Sequence, residues 1–245
     1  MQYAPQGDNK GPAALIQLME KPQSLTEVVY ETIRGAIIDK TLEPGGRVSE
    51  ARIASWLGVS KTPVREALLR LQVIGLVEFD GKRGARVVRP SRKAIVEAYG
   101  VRAALEAATS RHAVEQATKE DVDQLQAAAD DALVNAQAGD AEGFRAADWT
   151  FHNTLAQASG NSQLTELTRN FLVLTSVLRQ RDVPDGGDSI QCAHQHIDIL
   201  KAIRQGDPDR AAAAATQHID FVLGKVLAAA DATNIYSTDR DSKGM

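Results

Sequence analysis

Four side chains in the C-terminal half have the types and spacing for metal chemistry. Asp148 and His152 are four residues apart, which places both on one face of a helix. His196 and His218 fall on two later helical stretches expected to pack as neighbours across a turn at Gly206. One carboxylate and three imidazoles are hard-to-borderline donors that suit a divalent ion such as Zn or Ni, and equally Co, Fe or Mn, with no thiolate needed. Four protein ligands can leave positions open to water or an oxygen-bearing ligand. An Asp-x-x-x-His pair is also common on exposed helices, so spacing alone leaves both readings open. His194 precedes His196 by two residues, roughly 200° around a helix, and is expected at the surface. His112 is expected to be packed or partly exposed.

A second group lies near residue 60. Ser60, Lys61, Thr62 and Arg65 are clustered hydrogen-bond donors at the start of a helical pattern. Thr62 is expected to cap that helix, with Pro63 at its first position. Donors and free amides at a helix start can meet phosphates and base edges in a major groove. Arg65 could take guanine bidentately, and Lys61 is a point charge for phosphate or guanine. A lone Lys or Arg on a helix is usually a solvated charge; the elements around these residues give them meaning.

Those elements read as follows. Leu25, Val28, Val29, Ile33, Ala36 and Ile37 recur at helical steps. Glu43-Pro44-Gly45-Gly46 breaks that helix. Ser49 can cap a second, with Ile53, Ala54 and Leu57 inward and Gly58 at its end. The third uses Val64, Ala67, Leu68, Leu71 and Ile74, and Gly75 stops it. Two β-prone runs, 76–79 and 85–88, flank Asp80-Gly81-Lys82-Arg83-Gly84, a basic hairpin in which Gly81 lets backbone approach a duplex. Three helices and a basic hairpin make a winged helix-turn-helix over 24–90.

From residue 91 strand signal nearly vanishes. Helical stretches are expected at 92–117, 119–138, 140–158, 161–181, 189–205 and 208–230. The fold class is therefore mainly α: an N-terminal winged helix-turn-helix plus a C-terminal antiparallel all-helical bundle of six or seven helices over 91–233. Residues 1–23 read as a loose arm and 234–245 as a frayed tail. Charge divides the same way: residues 1–90 carry 13 Lys and Arg against 10 Asp and Glu, the remainder 15 against 22. A basic end on an acidic body fits a polyanion-binding module. The single cysteine, Cys192, excludes an intramolecular disulfide and a thiolate zinc cluster. No apolar run approaches the ~20 residues of a membrane span, and the first residues lack a signal-peptide pattern, so a cytoplasmic location is expected.

The stretch PGGRVSEARIASWLGVSKTPVREALLRL resembles the DNA-binding domain of the GntR family of bacterial regulators. VRAALEAATSRHA, AADWTFHNTLAQASGN and HIDILKAIRQGDPDRAAAAATQHI resemble the FCD-type effector domain of its FadR subfamily. The resemblance implies DNA contacts from Arg52, Ser60, Lys61, Thr62, Arg65 and the wing near Gly81. Lys61 stands where the family usually has arginine, and so lacks a planar fork. The resemblance also implies a divalent metal on Asp148, His152, His196 and His218, with a small carboxylate at its open positions. Arg102 matches a recurrent effector-pocket arginine; a salt bridge to a neighbouring helix is its other reading. The implied protein is a regulator, expected to repress, that binds a palindromic operator as a homodimer under control of a small organic acid. The competing class is a metalloenzyme with a bundle active site and an accessory DNA-binding head.

Overall fold

The structure, a computed structural model, describes residues 24–80, 84–89, 91–182 and 189–233. Helix α1 (Leu25–Ile38) starts at Ser24, whose hydroxyl accepts from the Glu27 amide. It buries Val29, Tyr30, Ile33 and Ile37, whereas Leu25 and Val28 face solvent. The inward stripe therefore runs through Tyr30 rather than Val28. β1 (Arg47–Val48) leads into α2 (Glu50–Leu57), which the Ser49 hydroxyl caps and Gly58 ends at a positive φ of 66°. Then come α3 (Lys61–Ile74), β2 (Val77–Phe79) and β3 (Ala85–Val87).

Two local expectations change here. The N-cap of α3 is Ser60, not Thr62; Thr62 and Pro63 lie inside the first turn. Ser60 holds the extended φ and ψ of a cap, and proline is tolerated anywhere in a first turn because those amides have no intrahelical acceptor. The sheet also has a third strand: β1 pairs antiparallel with β3, which pairs with β2, in the order β1-β3-β2. Two residues after a Pro-Gly-Gly break carry too little alternation to announce a strand; Val48 earns its place by burial against the wing core.

The remaining elements are α4 (Arg92–Gln116), α5 (Lys119–Ala138), α6 (Ala141–Ala158), α7 (Ser162–Asp182), α8 (Ser189–Arg204) and α9 (Pro208–Thr233). Ser91, Thr118 and Asp140 cap α4, α5 and α6, and Thr118 with Asp121 forms a reciprocal capping box. Alanines at 113, 128, 129, 132, 202, 211 and 215 are buried. Their small side chains let helices approach closely, so the middles of α6, α8 and α9 can bring side chains to one point.

The two halves share packing. Val173 and Val177 of α7 are buried in the same apolar cluster as Ile33, Ile37, Leu68 and Leu71, and Trp149 of α6 packs against it. Burying aliphatic side chains of this size contributes about 1.5–3 kcal/mol each. Helix α7 thus belongs to both the bundle and the core beneath α3. None of the described helices is long and apolar enough to cross a membrane.

Candidate metal centre and nucleic-acid interface

Helix α6 presents Asp148 and His152 one turn apart, α8 presents His196, and α9 presents His218. One ligand atom from each lies within 4.8 Å of all the others. Asp148 Oδ1 stands 3.6 Å from His152 Nε2 and 3.3 Å from His196 Nε2, the latter off the line of a hydrogen bond. His152 Nε2 and His218 Nε2 are 3.2 Å apart. The three imidazoles are buried, while the Asp148 side chain is 18% exposed and leaves the cluster accessible on its side.

Neighbours fix the histidine tautomers. His152 Nδ1 lies 2.6 Å from Glu106 Oε2, and His218 Nδ1 lies 3.1 Å from Gln195 Oε1. Both oxygens are acceptors, so both Nδ1 atoms carry the proton and both Nε2 lone pairs point inward. Two lone pairs at 3.2 Å repel unless a positive charge sits with them. His196 is fully buried with neither nitrogen hydrogen-bonded, at a cost of about 1–3 kcal/mol if left so. Phe151 stacks on its ring at 4.3 Å and fixes its plane. Converging lone pairs, an orphaned imidazole and a carboxylate fit a divalent cation.

The protonation balance agrees for His196 and His218, while His152 is drawn toward its protonated form. Burial pushes His196 below its ordinary value. Burial pushes His218 well below, helped by repulsion from His196 and His152. Burial also opposes the His152 cation, but the Glu106 and Asp148 carboxylates together outweigh it and raise that group. Burial would raise Glu106, yet His152 and Arg102 hold its carboxyl at about 2. Against burial, contacts with His152 and His196 keep Asp148 well below the usual carboxylate range. Near neutrality His196 and His218 are therefore neutral donors beside an ionised Asp148.

In the N-terminal half, Arg52, Ser60, Lys61, Thr62 and Arg65 are all exposed around the α2–α3 turn. The Ser60 hydroxyl makes no cap bond. Among the described residues Lys61 and Arg65 have no ion-pair partner. Arg70 differs: it pairs with Glu27 at 2.7 Å and covers the Tyr30 ring at 4.1 Å, so it stitches α3 to α1. The Arg52 guanidinium lies over Trp56 at 4.5 Å. Gly81, at the wing tip, lies outside the described residues.

Residues 25–87 match the family described as bacterial regulatory proteins, gntR family, and residues 97–221 match the FCD domain. The chain belongs to the GntR family. A probable D-xylose utilization operon transcriptional repressor from Paenarthrobacter nicotinovorans is 33% identical over 182 residues, covering 73% of this chain and 78% of that protein. The transcriptional repressor NanR of Escherichia coli is 30% identical over 258 residues, 94% and 95% of the two chains. The solved structure of E. coli McbR/YncC matches with TM-score 0.69 and 22% identity over 84% of this chain and 98% of its own. A putative GntR regulator from Rhodococcus sp. RHA1 matches with TM-score 0.62 and 27% identity over 84% and 99%. The family is one of bacterial regulatory proteins and the two curated relatives are named as transcriptional repressors, so the chain is a DNA-binding regulator, which sets aside the metalloenzyme alternative.

In this GntR-family chain Arg102 corrects one expectation. Its ion pair is with Glu106 on its own helix, Nε to Oε1 at 2.7 Å, not with a neighbouring one. The neighbouring helix contributes the Thr175 hydroxyl, 3.2 Å from Nη1. At 5% exposure Arg102 still lines a small pocket beside Asp148. Glu106 is the residue that sequence reasoning missed: it joins Arg102 to His152 and orients both. The four-residue step from Arg102 to Glu106 was the available signal, but nothing in the sequence pointed that carboxylate at His152. Tyr99, Arg145, Thr175 and Arg179, which line the same pocket, were missed too. His194 and His112 are both exposed and stand outside the cluster.

Proposed function

We propose that this chain is a transcriptional repressor that binds a roughly palindromic operator as a homodimer and is released by a small organic acid. Two copies of α3 reading one duplex require two-fold symmetry. Arg65 and Lys61 would read base edges or phosphate, Ser60 and Thr62 would meet the backbone, and Arg52 and the wing at Gly81 would flank them. The repressor sign is supported by the relatives' names. A DNA partner of this kind puts the working compartment in the cytoplasm.

Asp148, His152, His196 and His218 would hold a divalent ion, Zn or Ni by donor type. When bound, such an ion supplies open positions for an oxygen ligand. The chain's own residues do the rest. Glu106 keeps the His152 proton on Nδ1, Gln195 does so for His218, and Arg102, oriented by Glu106 and Thr175, offers a charged donor to an incoming carboxylate. The observation that carries the reading is the convergence of four ligand atoms, two of them opposed lone pairs, at the exposed edge of Asp148.

A route to the DNA-binding head runs through α6 and α7. Trp149, next in sequence to Asp148, packs against the core under α3, and Thr175 sits two residues from both Val173 and Val177 of that core. A ligand that moves Arg102 or Asp148 acts on elements the head rests upon. The DNA half of the reading is tested with Arg65→Ala, which should lose about 1–3 kcal/mol per half-site with fold and dimer intact. Unchanged operator affinity in a gel-shift titration at fixed salt contradicts it.

A further inference from the structure

The small pocket beside Asp148 carries more positive charge than one carboxylate needs. Three helices build it at helical spacing: Tyr99 and Arg102 of α4, Arg145 and Asp148 of α6, Thr175 and Arg179 of α7. Glu106 already cancels Arg102. Arg145 and Arg179 are half-buried and have no carboxylate partner among the described residues. With a divalent ion on Asp148 and three neutral histidines, the centre itself keeps one net positive charge. Arg145 and Arg179 add two more, and a monocarboxylate would neutralise only the first.

A second observation points to a ligand independently. Tyr99 is 1% exposed, lines this pocket, and its hydroxyl has no hydrogen-bond partner. A buried hydroxyl without a partner costs free energy that a ligand oxygen would recover. The pocket as it stands has a volume of about 30 Å³, room for roughly one water. Beyond it lies a cleft of about 960 Å³ between the bundle and α1 and α3, and Arg145, Trp149 and Ser176 line both spaces. A ligand longer than a single carboxylate therefore has somewhere to extend once those side chains shift, and Arg145 stands at that boundary.

We propose that this site takes an organic dianion, with one carboxylate at the Asp148–histidine cluster and Arg102, the second anionic group between Arg145 and Arg179, and a ligand oxygen accepting from the Tyr99 hydroxyl. The proposal rests on the carboxylate-binding reading above and narrows it from acids in general to doubly charged ones. It also places the second charge on the wall shared with the cleft beneath the DNA-binding head, so occupancy and head position meet at Arg145 and Trp149.

Calorimetry on full-length, zinc-loaded protein tests this with matched pairs: malonate against propionate, succinate against butyrate, glutarate against valerate. At least one dicarboxylate should bind tenfold or more tighter than its partner. Arg145→Gln and Arg179→Gln should each erase that preference with zinc content unchanged, weakening the dicarboxylate far more than its monocarboxylate partner, and Tyr99→Phe should weaken the preferred dicarboxylate severalfold. Equal affinity within every pair overturns the dianion while the carboxylate site stands. A preference that survives in both arginine variants also overturns it, because the second carboxylate would then be on the metal. Absence of binding by every acid overturns the carboxylate site and the dianion together.

Discussion

Replacing Glu106 by glutamine isolates what the carboxylate does for the cluster. Its two oxygens serve two donors: Oε2 takes the His152 Nδ1 proton at 2.6 Å and Oε1 takes Arg102 Nε at 2.7 Å. An amide has one acceptor oxygen, so in either orientation its NH2 group faces a donor. One charge-assisted hydrogen bond is lost, about 1.5–3 kcal/mol, and the His152 Nδ1 proton is held less firmly. Partners that orient ligating histidines typically contribute 10–100-fold to metal affinity, and the loss here should fall in that range. The assay is competition for zinc against a chromophoric chelator, with a thermal melt of the chelator-treated protein to confirm folding. Glu106→Asp, which keeps the charge but shortens the reach, should fall between the two. A folded Glu106→Gln protein with wild-type zinc affinity would refute the claim that Glu106 positions His152.

Other outcomes follow from the same geometry. His218→Ala purified without chelators should lose most of its metal by elemental analysis, since the remaining ligands cannot hold the site; metal content equal to wild type removes His218 as a ligand. The metal-free protein should lose thermal stability as pH falls from about 6.5 toward 5. His196 and His218 have folded values below their unfolded ones, so the unfolded chain binds more protons in that window. His152 is raised and acts oppositely, while the lowered carboxylates matter only below their own ordinary values; a flat or rising melting profile contradicts the burial argument. Trp149→Ala should retain zinc but weaken the effect of bound acid on operator affinity, because it removes the α6 contact with the core under α3; full retention of the effect shows that coupling runs elsewhere.

The helices of the bundle were legible because polar breaks such as Gly139-Asp140 and Gly206-Asp207-Pro208 separate long alanine- and leucine-rich stretches. Expected spans such as 208–230 lie within a few residues of Pro208–Thr233. The convergence of Asp148, His152, His196 and His218 was legible because Asp148 and His152 share a helix face and histidines are few. What escaped were contacts set by tertiary packing. β1 is two residues long and exists because Val48 has Ala85 to pair with. Glu106 looked like one more charge on α4 until the fold brought α6 against it. The cap of α3 moved to Ser60 because a first-turn proline tolerates more than one position. Tyr99, Arg145 and Arg179 come from three separate helices, and no spacing in the chain links them.

A ligand bound at the Asp148–histidine cluster should control DNA affinity. Fluorescence anisotropy with a labelled duplex from upstream of the gene measures this directly, using zinc-loaded protein at fixed salt, with and without a saturating acid identified by calorimetry. The acid should weaken operator binding at least tenfold, and operator should weaken acid binding by the same factor, as linkage requires; His218→Ala should bind the duplex indifferently to the acid. Identical operator affinity with and without bound acid in the wild-type protein would mean that the cluster does not control DNA binding.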